Sequence, residues 1–273
     1  MSFDRYRVDL PDNVFPLLRQ SVGWEEFSKG RQIAVLHRPE NKGTPLIRTT
    51  TVYQAPSQPF KPIHESIIQG IQNASGIKDL DLNNAMLEVY DSRYTTMGFH
   101  TDQALDIQSD SYICLFSCYE NGADAHPRVL TVKNNESGQE FEVQLLHHSV
   151  VVFSAVTNRH HLHKIEGRDL PEGHDNRWMG FTLRLSKSFV RFRDGVPHHV
   201  SEGVDMGELT LATDMERRAF YGFKGQENKG IDYQYPELRY TISPSDLVPT
   251  VPSNAAPTDS LNWQNRHDSN KGL

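Results

Sequence analysis

Between Asn84 and Phe192 the chain breaks into seven short runs rich in β-branched and aromatic residues: AMLEVYD, SYICLFSCY, RVLTVKN, EFEVQLL, SVVVFSA, HLHKIE and RWMGFTLRLS. Turn residues separate them, and NESGQ between the third and fourth is a hairpin signal. Runs of this kind bury their apolar faces only by stacking sheet on sheet, so a mainly β, α+β chain built on a sandwich or open barrel is expected. Ahead of them, KPIHESIIQGIQNASG carries Ile63, Ile67, Ile68 and Ile71 on one helical face, which predicts a packing helix over about 62–74. The segment PLIRTTTVYQAP (45–56) reads as a strand running into a loop. A further helix, introduced by a threonine cap, is expected from TLATDMERRAFYGFKGQEN (210–228), ending near Phe223.

The 273 residues, 37% of them hydrophobic, can bury one substantial core. The expected organisation is one catalytic domain over 1–200, an extension over 201–248 packed on it, and a disordered tail over 249–273 that is poor in apolar residues. Lys+Arg of 28 against Asp+Glu of 35 gives a net charge of −7, which disfavours general attraction to nucleic acid or anionic lipid. No apolar run reaches the roughly 18 residues of a membrane span, and the N-terminus lacks a signal-peptide core, so a cytoplasmic protein is expected. Cys114 and Cys118 lie in an apolar run and read as buried thiols.

One short motif carries chemistry. In MGFHTDQALD, His100 and Asp102 stand two apart, and on extended backbone they project to one side. Among 13 histidines a single His-x-Asp is near chance, so a third ligand has to come from elsewhere. TNRHHLHKIE supplies His160, His161 and His163 some sixty positions later. His161 and His163 share a phase with Ile165, leaving two candidates, and His163 is favoured as the deeper in the strand. Two histidines and a carboxylate on one face of a metal, with the remaining positions open, is the ligand set of non-haem iron oxygenases. Downstream, Thr182, Arg184 and Ser186 share a strand face, an arginine flanked by two hydroxyls and suited to a carboxylate. His147, His148, His198 and His199 read as solvated loop histidines.

His100-x-Asp102, then His163, then Arg184 in Arg-x-Ser resembles the iron- and 2-oxoglutarate-dependent dioxygenase superfamily, most closely its AlkB-like branch and hydroxylase relatives, over about residues 45–192. The resemblance implies a double-stranded β-helix, a jelly-roll core like that of cupins, with flanking N-terminal helices. It implies Fe(II) held by His100, Asp102 and His163, which would be the catalytic centre, with 2-oxoglutarate as cosubstrate and O2 as oxidant. Cosubstrate contacts are implied for Arg184, which would neutralise the far carboxylate of 2-oxoglutarate, and for Tyr90 and Arg177, beside Thr182 and Ser186. Three positions depart from the AlkB-like pattern. Glu88 stands where an asparagine is usual and should face away or meet a cation, Tyr90 is one residue further from His100, and Arg177 is one residue out of register. The implied reaction hydroxylates a C–H of a small molecule or protein and yields succinate and CO2. Substrate contacts are expected in 48–60, 103–110 and the stretch from GVPHHV, with Arg48, Tyr53, Gln103 and Asp106 as candidates. An AlkB-like demethylase of N-methylated nucleic acid and a silent jelly-roll binding module are the competing readings.

Overall fold

The computed structural model describes residues 2–10, 13–78, 80–168, 170–171, 173–230 and 232–250; the expected tail from 251 onward lies outside them. The N-terminal third contributes β1 (Asp4–Arg7), α1 (Phe15–Ser21), β2 (Glu25–Ser28), β3 (Arg31–His37), β4 (Thr44–Leu46), β5 (Gln58–Pro59) and α2 (Pro62–Ser75). The seven β runs then form β6 (Asn84–Tyr90), β7 (Tyr112–Tyr119), β8 (Val129–Asn134), β9 (Glu140–Gln144), β10 (Ser149–Ser154), β11 (His161–Glu166) and β12 (Trp178–Arg184), with a short α3 (Ala155–His160) between β10 and β11. Beyond them come β13 (Ser188–Arg193), β14 (Val196–Ser201), β15 (Val204–Glu208), β16 (Thr210–Leu211), α4 (Asp214–Glu227) and β17 (Tyr240–Thr241).

The result is a β-rich α+β fold. Its main sheet runs β1-β10-β7-β12-β6-β3-β2, each neighbouring pair antiparallel, with β5 added in parallel to β3. A second antiparallel sheet has the order β11-β8-β9, and a third β15-β14-β13-β4. Strand β7 explains the layering. Cys114, Phe116 and Cys118 point into one core with α1 and α2, where Phe15, Leu18, Ile67 and Ile71 cover that face. Ile113, Leu115 and Tyr119 point the other way, into a core shared with Leu130, Val132 and Ile165 of the second sheet. A central strand with both faces covered reads as a continuous apolar run, as SYICLFSCY does. Both thiols are free and buried, and burial pushes their pKa values up.

The expected helix over 62–74 is α2, with Ile67, Ile68 and Ile71 inward. The NESGQ segment closes the β8–β9 hairpin, with Gly138 at φ +69°. Three expectations need correction. The stretch 45–56 is strand only to Leu46, because its later backbone groups are taken by tertiary partners: Arg48 N–H donates to Asp106, Tyr53 N–H to Ser243, and Gln54 N–H to Glu25. The segment GVPHHV is not a loop at the site but strand β14, in a hairpin with β13. His148 and His199 are buried rather than solvated, at 8% and 4% exposure, and Nε2 of His199 lies 3.5 Å from Arg48. No described helix is long and apolar enough to cross a membrane.

Candidate metal centre

His100 and His163 sit opposite each other across an isolated bridge, exchanging both main-chain bonds: His100 N–H to His163 C=O at 3.0 Å and the reverse at 2.7 Å. A hydrogen-bonded pair of this kind puts both imidazoles on one side. The donor atoms of His100, Asp102 and His163 all fall within 4.8 Å of one another, the one such cluster among the described residues. His163 Nε2 stands 3.6 Å from Asp102 Oδ1. His161, the other histidine left open by strand phase, lies away from this cluster: Nδ1 meets the Thr157 carbonyl and Nε2 the Asn134 amide.

His100 and Asp102 are held from behind, whereas His163 Nδ1 is buried without a hydrogen-bond partner. His100 Nδ1 donates to the Gly98 carbonyl at 3.0 Å, which fixes the tautomer and leaves Nε2 for a metal. Burial, together with the neighbouring His163, pushes the His100 pKa down to about 3, so its imidazole is neutral as a metal ligand must be. Asn158 of α3 grips the Asp102 backbone in both directions, accepting from its N–H at 2.8 Å and donating to its C=O at 2.7 Å. Burial opposes the charge of Asp102, but Arg184 and His163 outweigh it and hold the carboxyl well below the usual range. Arg184 Nε donates to Asp102 Oδ2 at 2.7 Å, leaving Oδ1 toward the histidines. Two imidazoles, one carboxylate and no thiolate form a donor set that fits Fe(II), and all three side chains line a cavity of about 120 Å³.

A sequence model of the 2OG-Fe(II) oxygenase superfamily matches residues 19–184, more than half of the chain. The chain belongs to this superfamily. The match takes in all three members of the triad and ends on Arg184. No curated protein matches the chain.

Within this oxygenase-type site the remaining candidates divide. Thr182, Tyr53, Gln103 and Arg184 line the cavity with the triad. Tyr90 does not, because its hydroxyl donates to Glu88 at 2.8 Å inside the core. Arg177 lies outside the cavity at the far end of β12, paired with Glu120 on both of its carboxylate oxygens. Ser186 is consumed structurally, its hydroxyl donating to the Leu46 carbonyl at 2.5 Å. Arg48 and Asp106 form a fully buried pair, Nη2 to Oδ1 at 2.7 Å and Nε to Oδ2 at 2.9 Å, away from the triad's cavity. Glu88 does meet a cation: Arg31 donates to it through Nε at 2.8 Å and Nη2 at 2.5 Å.

Sequence reasoning missed the contribution of α4. The helix runs to Glu227, one turn beyond the expected end, and that turn holds the ligand loop. Lys224 Nζ donates to Thr101 C=O at 2.6 Å, to its hydroxyl at 2.7 Å and to Glu227 at 2.7 Å. Asn228 Oδ1 accepts from Thr101 N–H and Glu227 Oε1 from Ala104 N–H. The one signal was a modest mixture of basic and aromatic residues in RRAFYGFKGQENK. Arg31 gave none.

Proposed function

We propose that this protein is an Fe(II)- and 2-oxoglutarate-dependent dioxygenase that hydroxylates an unactivated C–H of a small polar molecule or a protein side chain, releasing succinate and CO2. The observation that carries the reading is the convergence of His100, Asp102 and His163 at the cavity, with Arg184 bonded to the ligand carboxylate. When bound, the metal and cosubstrate would supply the oxidising chemistry, coupling decarboxylation to hydroxylation. The chain's own residues hold and orient. His100 presents a neutral nitrogen and His163 of β11 a second imidazole, Asp102 presents one anionic oxygen, and Asn158 and α4 fix the loop that carries His100 and Asp102. We also propose that the main sheet and the β11-β8-β9 sheet are the two walls of a double-stranded β-helix, which the core packed between them supports.

The cavity lining mixes apolar side chains, among them Ile47, Met97 and Leu115, with polar ones. Thr49, Thr50, Thr51 and Tyr53 line it together with Gln103. Both polar atoms of the buried Gln103 amide lack partners, a donor and an acceptor side by side that a substrate with a complementary amide-like edge would satisfy. Net charge −7 favours a small or protein substrate over nucleic acid.

The test is anaerobic addition of 2-oxoglutarate to the Fe(II) protein. A visible charge-transfer band is expected, absent in His100→Ala, and aerobic incubation should yield succinate. A wild-type protein that forms neither band nor succinate is not an oxygenase of this class.

A further inference from the structure

The cavity beside the triad is lined by three cationic side chains among the described residues, Arg31, Arg184 and Lys224. Lys224 has spent all three ammonium donors on Thr101 and Glu227. Arg184 is bonded through Nε to a metal ligand, which puts its guanidinium at the metal end. A five-carbon dioate that chelates through its keto-acid end carries its second carboxylate away from the metal. That far end calls for another cation.

Arg31 stands there. It begins β3, opposite Tyr90 of β6, which is opposite Trp178 at the start of β12; Arg184 ends the same strand, opposite Asn84. The two arginines therefore reach the cavity from opposite ends of one sheet face. The Arg31 side chain is 12% exposed, with Phe27 and Tyr94 rings at 4.7 and 5.6 Å. Its Nε and Nη2 are on Glu88, so Nη1 remains. Two further buried donors without partners, Ser117 Oγ and Trp178 Nε1, lie on the same sheet face in adjacent cross-strand rows, Ser117–Gly180–Glu88 and Trp178–Tyr90–Arg31. Neither of these two residues lines the cavity, so the donor that faces an anion there is Arg31 itself.

We propose that Arg31, from the N-terminal strand β3, anchors the far carboxylate of 2-oxoglutarate, while Arg184 serves the metal-bound end. The inference rests on the cosubstrate reading above. It makes Arg31 the residue that distinguishes 2-oxoglutarate from a keto acid lacking the second carboxylate. Glu88, sharing the same guanidinium, weakens that grip by competing for it.

The experiment titrates anaerobic Fe(II) protein with 2-oxoglutarate and with 2-oxopentanoate, which chelates identically but ends in a methyl group, and reads each Kd from the charge-transfer band. Losing one partner of a buried charge-assisted pair predicts that Arg31→Met weakens 2-oxoglutarate by about 30-fold or more and 2-oxopentanoate by less than about threefold. Because Arg31→Met strands a buried carboxylate, Arg31→Met/Glu88→Gln is measured beside it, with the same result expected. Glu88→Gln alone should tighten 2-oxoglutarate and leave 2-oxopentanoate unchanged. Arg184→Met should weaken both keto acids alike. The assignment is overturned if the double variant keeps the wild-type preference for 2-oxoglutarate, or if Arg184→Met is the variant that abolishes it. Failure of wild type to form a band with either keto acid removes the cosubstrate reading itself.

Discussion

Gly180 occupies the middle of β12, and a Cβ there would fall 2.2 Å from the Trp178 ring. A strand glycine commonly marks such a close approach, and here the missing side chain leaves room for the buried indole against β12. Gly180→Ala should destabilise the protein by about 1–3 kcal/mol, read from denaturant unfolding; an unchanged midpoint would mean the indole is free to move aside. Asp102 shows how one position carries two duties. One oxygen faces the histidines while the other accepts from Arg184, and its main chain is bonded to Asn158. His100 and Asp102 were legible from spacing, because extended backbone projects residues two apart to one side, while strand phase left both His161 and His163 for the third position. The cation that meets Glu88 was not legible, since Arg31 reaches it across 57 positions only once β3 pairs with β6.

At the scale of elements, α4 is the informative case. It lies beyond the family match at residues 19–184, yet Lys224, Glu227 and Asn228 make five hydrogen bonds to the main chain and side chain of Thr101 and the main chain of Ala104. Outer-shell bonds of this kind set ligand geometry, so Asn228→Ala should weaken Fe(II) or Co(II) binding by about 10- to 100-fold. Calorimetry of metal binding checks this, and unchanged affinity would reduce α4 to a packing element. The segment after Leu46 teaches the opposite lesson. Its β-branched residues favour a strand, but side chains of Glu25, Asp106 and Ser243 claim its N–H groups and leave Thr49, Thr51 and Tyr53 facing the cavity. Tertiary hydrogen bonds overrode local propensity.

For the whole molecule, Arg48 ties together segments far apart in sequence. Besides Asp106, it donates through Nη1 to the Leu238 and Tyr240 carbonyls at 2.8 and 3.1 Å. Arg48→Met leaves a carboxylate enclosed without its partner and should cost about 3–5 kcal/mol, with a single unfolding transition rather than separate loss of the C-terminal segment. Asp246, nearby, is buried without a full countercharge, and burial pushes its pKa up to about 7 despite the Thr241 hydrogen bond and the field of Arg48. A carboxyl with a folded pKa above its unfolded one favours folding below about pH 4, and that contribution is lost as pH rises through about 7. Asp246→Asn should therefore gain stability over wild type between pH 4.5 and pH 7.5, by no more than about 4 kcal/mol. Urea unfolding at the two pH values measures it, and equal differences at both would show that Asp246 titrates normally.

The amino-acid order by itself determined the seven strands, the packing helix and the His100–Asp102 pair, because these follow from side-chain periodicity and from residues two apart on extended backbone; tertiary structure chose His163 over His161. It also determined that Cys114 and Cys118 are buried, since an uninterrupted apolar run has no solvent face. Tertiary structure alone decided what surrounds the metal ligands. Arg31, Asn158 and Lys224 come from β3, α3 and α4, and their roles depend on which charged or amide groups meet after the sheets stack. Periodicity reports which way a side chain faces. The identity of the buried partner is set by long-range pairing, which no local pattern encodes.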